Sequence, residues 1–167
     1  MRLKSTATAI LVFAIIFGSV VISSAAGYWR TTAAKEASKF ESGDFAGEAN
    51  PADIRGSFSF GDIEKSFGIE ATTLAKAFGV PEEEAATFQV KGLESRYAMP
   101  EGSEIELGTG SVRYFVSLYT GLPYVLTETV YLPDAAVQVL IDENKVSDEQ
   151  ANALWEIAVD LADLKQP

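Results

Sequence analysis

Hydrophobic and polar positions divide the chain into three stretches. Between Lys4 and Arg30 no charged residue occurs, and "STATAILVFAIIFGSVVISSAAG" from Ser5 to Gly27 is almost continuously apolar or small. As a helix at about 1.5 Å per residue it would span roughly 34 Å, against a bilayer hydrocarbon core of about 30 Å. Tyr28 and Trp29 come next, at the place of an interfacial aromatic belt, and Arg30 is a polar stop. Two readings fit: a transmembrane anchor, favoured by the unbroken length, or a cleaved signal peptide. The second would use Arg2 and Lys4 as a basic leader and Ser24-Ala25-Ala26 as the cleavage region. Both readings export the remainder of the chain, and the four residues before Ser5 fit a signal anchor with an external domain.

Beyond Gly27, "TTAAKEASKFESGDFAGEANPAD" is small and polar and reads as a tether over residues 28–51, with Ala33 to Phe40 predicted as a juxtamembrane helix. A helical domain is expected over residues 52–167. Phe60, Ile63 and Phe67 share one helical face, and Leu74, Ala77 and Phe78 repeat it. Each run ends in Phe-Gly-aliphatic, at Gly68-Ile69 and again at Gly79-Val80. This is the pattern of a glycine in the left-handed conformation preceding an apolar residue that packs back on the last turn. Ser59 is a candidate N-cap with Asp62 in the first turn.

Further helices are expected over Lys91 to Met99 with Leu93 and Tyr97 inward, from a cap at Ser111 to a stop at Gly121, and from Pro133-Asp134 to about Glu143. The buried side of the last of these is Ala136, Val137, Leu140 and Ile141. Ser147 to Gln150 reads as a capping box opening a final helix with a stripe of Leu154, Ile157, Ala158 and Leu161. Tyr124 to Leu132, rich in Val, Thr and Tyr, predicts a short extended piece. The fold class is therefore mainly α: an N-terminal transmembrane helix (residues 1–27), then a small soluble helical bundle with a short extended segment.

Charge narrows the partners. The formal net charge is −11, and every Asp and Glu lies after Ala26, so the tail is more acidic than the whole. Nucleic acid, which is bound by lysine and arginine displacing counterions, is a poor partner for such a surface. With no Cys and no His, disulfides, thiolate nucleophiles, imidazole metal sites and a Ser-His-Asp triad are excluded.

Candidate chemistry is sparse. Asp142 to Glu149 has the acidity of a calcium loop, but Val146 stands at a ligand position and no glycine makes the turn. Glu82-Glu83-Glu84 reads as a helix's first turn after Pro81, and Gly108-Thr109-Gly110-Ser111 as a cap lacking the lysine of a phosphate loop. Two acids facing one another across a cleft, as glycoside cleavage requires, are not readable from one sequence. No catalytic residue, cofactor or metal ligand is assigned. The one candidate partner-binding group is the tyrosine-rich zone of Tyr114, Tyr119, Tyr124 and Tyr131, side chains that bring large contact area with a polar tip.

The segments "DIRGSFSFGDIEKSFGI", "LAKAFGVP" and "VRYFVSLYTGLPYVLTETVYLPDAAVQVLI" resemble small membrane-tethered helical domains that accompany, or are fused to, NapH-like membrane iron-sulfur electron-transfer proteins. The resemblance covers roughly Asp53 to Ile141 and implies a helical accessory module. Without cysteine the chain departs from the members that carry a cluster. The function expected is a non-enzymatic, single-pass, extracytoplasmic accessory protein. It would touch lipid through the N-terminal helix and bind another membrane protein. An exported small-ligand or cation-binding domain is the alternative.

Overall fold

The computed structural model describes residues 35–97 and 107–164. The expected membrane helix, the first part of the tether and Met99 lie outside them. Among the described residues no helix is long and apolar enough to cross a membrane. They are mainly helical, in six α-helices: α1 Phe60–Phe67, α2 Ala71–Ala77, α3 Gly92–Arg96, α4 Thr109–Thr120, α5 Asp134–Asp142 and α6 Asp148–Trp155.

The duplicated Phe-Gly-aliphatic motif is a pair of helix ends. Ser59 caps α1 by accepting from Asp62 N–H at 3.1 Å, while the Asp62 carboxylate accepts from Ser59 N–H at 2.9 Å, a reciprocal box that fixes where the helix starts. Gly68 closes α1 in the left-handed conformation (φ 70°) and Gly79 succeeds α2 in the same way (φ 62°). Val80 N–H then reaches back to Ala75 C=O at 2.9 Å, and both Ile69 and Val80 are buried. The first free N–H of α2, at Ala71, is taken by the Glu64 carboxylate of α1 at 3.2 Å.

Aromatic rings run through the core from these helices. Phe60 lies 6.1 Å from Phe78 and 5.3 Å from Phe88, and Phe78 meets Phe115 of α4 edge-on at 5.6 Å. Residues 86–90 cross the start of α1, with Phe60 N–H bonded to Phe88 C=O and Gly61 N–H to Ala86 C=O. Leu93 and Tyr97 point inward as predicted, and the Tyr97 hydroxyl sits at 2.9 Å from Phe78 C=O and 3.1 Å from Gly79 C=O, satisfying the end of α2.

Several expectations are corrected. Residues 35–40 are extended, not helical, and the compact unit begins at Lys35 rather than Ala52. Lys35 N–H bonds Asp62 Oδ1 (3.3 Å) and Ala37 N–H bonds Ser66 Oγ (3.2 Å), acceptors one turn apart on α1. Ser38 N–H bonds Asp53 Oδ2 (2.8 Å), the chief cause of that carboxyl's lowered pKa, with Arg55 adding to it. These tertiary bonds override the helix propensity of the Ala-Lys-Glu-Ala run. The chain then folds back on itself, Lys39 pairing antiparallel with Ala49, and buries Ala37 and Ala49.

Helix α4 starts at Thr109 after Gly108, and Ser111 is not its cap but a buried residue inside it. Glu82–Glu84 form a lone 3-10 turn instead of opening a helix. Ile141 is only half-buried, whereas Val139, not expected inside, is buried. The extended piece is confined to a two-residue strand β1, Leu132–Pro133, paired parallel with β2, Ala158–Val159. That pairing also corrects the final helix. The Ser147–Gln150 box is present, but α6 stops at Trp155 because Ile157 C=O turns to accept Leu132 N–H at 3.2 Å.

Candidate cleft at two helix C-termini

Helices α1 and α4 both end, at Gly68 and Gly121, with a left-handed glycine. Their C-terminal turns and the fold-back of residues 38–50 border an open cleft of about 700 Å³ lined by Asp44, Phe45 and Glu48 of the fold-back together with Tyr119 and Lys145. Ser66, Phe67 and Gly68 line it at the end of α1. Phe45 is 40% exposed, one of the few large apolar side chains so open among the described residues, and its ring centre lies 6.3 Å from that of Phe40.

Tyr119 and Lys145, which line the cleft, interlock with each other and with Glu143, which lies outside it. The Tyr119 hydroxyl donates to Glu143 Oε2, and the Lys145 ammonium lies 4.2 Å from the centre of the Tyr119 ring, a cation–π contact. Tyr119 also stacks at a tilt on Phe115, 5.8 Å away. Burial, then the hydrogen bond and negative charge of Glu143, push the Tyr119 phenol up to about 12.

That shift predicts an alkaline transition. A phenol whose pKa is raised on folding stabilises the fold fully below its unfolded value near 10, and the contribution disappears between about pH 10 and 12. Tyr97 and Tyr114, also raised by burial, act in the same direction. Spectrophotometric titration is therefore expected to show a late phenolate fraction that Tyr119→Phe reduces by one tyrosine and from which Glu143→Gln moves one tyrosine to lower pH. An unchanged titration curve for both variants would refute the arrangement.

Of the four tyrosines singled out by sequence, Tyr119 alone lines the cleft. Tyr114 and Tyr131 are half-buried against the core, and Tyr124 is half-buried on the connection that exposes Val125 and Leu126. No described aromatic contact joins any two of the four. The cleft residues that sequence reasoning missed are Asp44, Phe45 and Glu48, which it assigned to the tether. Two phenylalanines astride Ser42-Gly43 in an otherwise small, polar run were the available signal.

Beside the Gly108-Thr109-Gly110-Ser111 cap, Arg113 is engaged internally. Arg113 Nε donates to Ile54 C=O at 2.8 Å, so its guanidinium fastens α4 to the turn Pro51–Asp53. A Glu128 carboxylate oxygen lies 3.1 Å from where a side chain on Gly110 would begin, placing an acid beside the positive end of α4. Glu82 to Glu84 and Asp142 to Glu143 lie at the surface, and among the described residues no three acidic side chains gather where one metal ion would touch them. No protein-family model, curated protein or solved structure matches the chain.

Proposed function

We propose that the chain is a non-enzymatic accessory protein, held in a membrane by residues 1–27 and acting outside the cytoplasm through its acidic helical unit on another membrane protein. The observation that carries this reading is the charge-free stretch from Ser5 to Gly27, long enough for a hydrocarbon core and flanked by Tyr28, Trp29 and Arg30. An electron-transfer or transport assembly is the partner class implied by the resemblance to modules beside NapH-like proteins.

The expected result is that the full-length product stays in membranes through alkaline carbonate washing and is cut by protease added to intact cells. In mild detergent at native expression it should co-purify with an integral membrane protein. Release by carbonate, or recovery of the chain alone from detergent, would overturn the reading.

A further inference from the structure

The cleft between the fold-back and the ends of α1 and α4 has the electrostatics of a cation receptor. Each helix C-terminus carries the equivalent of roughly half a negative charge, and two such ends meet here. Asp44 and Glu48, two acidic residues of the fold-back, also line it. Neither forms an ion pair among the described residues, whereas Asp53 and Glu84 do. The internal cation that lines the cleft, Lys145, shows how a positive group is held there, over an aromatic face. Phe45 offers a second face, 40% exposed, on the fold-back.

We propose that this cleft receives a basic peptide segment of the protein partner, a Lys or Arg side chain bringing its charge to Asp44 and Glu48 and its stem onto Phe45. Charge complementarity selects the occupant. A chain of net charge −11 attracts a basic surface at long range, and the cleft supplies the short-range contacts that fix register. A divalent ion is served less well, since a calcium site takes six to eight oxygen ligands, and no three acidic side chains converge among the described residues. The aromatic face likewise suits guanidinium or ammonium on a carbon stem better than a bare ion. The inference deepens the accessory reading by naming the partner's chemistry, and rests on it only for the existence of a protein partner.

The test uses the full chain in nanodiscs of zwitterionic phosphatidylcholine, titrated with the fluorescein-labelled peptide Arg-Leu-Arg-Leu-Arg. Asp44→Asn with Glu48→Gln is expected to weaken binding about fivefold to tenfold, the scale of two partly exposed ion pairs. Neutralising the exposed Glu82 and Glu83 to Gln, an equal change of net charge outside the cleft, is expected to alter it less than about twofold. Lys145→Gln removes the resident positive charge and is expected to tighten binding, a sign opposite to the carboxylate variants. Equal loss from both acidic pairs, no peptide binding, or calcium chloride binding in place of the peptide would each overturn the proposal. Carbonate release would overturn the anchor, and the same titration on the chain in solution would then decide the cleft proposal by itself, so the two failures are distinguishable.

Discussion

Phe78→Ala is expected to remove about 3–5 kcal/mol of folding stability, the range for truncating a fully buried phenylalanine. The position is central: the ring contacts Phe60 of α1 and Phe115 of α4, so its loss opens a cavity where those two helices meet the end of α2. The backbone at Phe78 also receives the Tyr97 hydroxyl, and relaxation into the cavity would stretch that bond. Against a typical total of about 5–15 kcal/mol, the variant should unfold at a far lower urea midpoint, or fail to accumulate. Phe45→Ala, on the cleft rim and partly exposed, is the contrasting control and should leave the midpoint nearly unchanged. A Phe78→Ala midpoint within experimental error of the wild type would refute the core as described.

The second large effect separates two glycines that look alike in sequence. Gly68 and Gly79 both adopt positive φ, so alanine at either meets a backbone cost of about 1 kcal/mol. At Gly68 nothing lies within 4 Å of the added carbon, and the cost ends there. At Gly79 the carbon would stand 2.5 Å from the Tyr97 hydroxyl oxygen and 2.6 Å from Leu161 Cδ1. Leu161 is able to turn away, but Tyr97 is a rigid ring, buried and fixed by its bonds to Phe78 C=O and Gly79 C=O. Overpacking of this kind adds about 1–3 kcal/mol. Gly79→Ala is therefore expected to cost about 2–4 kcal/mol, and Gly68→Ala about 1 kcal/mol. Equal urea midpoints for the two variants would show that Tyr97 does not press on the end of α2.

The features legible in the sequence are those decided within a turn or two of chain. The boxes at Ser59 and Ser147 and the stops at Gly68, Gly79 and Gly121 need only neighbouring backbone, and each stands where the residue types place it. What escaped was decided at a distance. Residues 35–40 lie extended because Asp62, Ser66 and Asp53 accept their N–H groups, and no local pattern announces that. Helix α6 ends at Trp155 because strand β1 claims the Ile157 carbonyl, again a partner far off in the chain. The four tyrosines do not form one surface, for a geometric reason. Tyr114 and Tyr119 are five residues apart, which at about 100° per residue turns them well away from a common face of α4. Tyr119 therefore reached the cleft, while Asp44, Phe45 and Glu48 came from the segment read as a linker.

The parallel pairing of Leu132–Pro133 with Ala158–Val159 bears on how the polypeptide is made. During vectorial synthesis the stretch through α5 emerges while the acceptor for Leu132 N–H, Ile157 C=O, is still unmade. The nascent domain thus leaves the Leu132 N–H without that acceptor, and β1 without its partner strand, until residues 157–159 have left the ribosome.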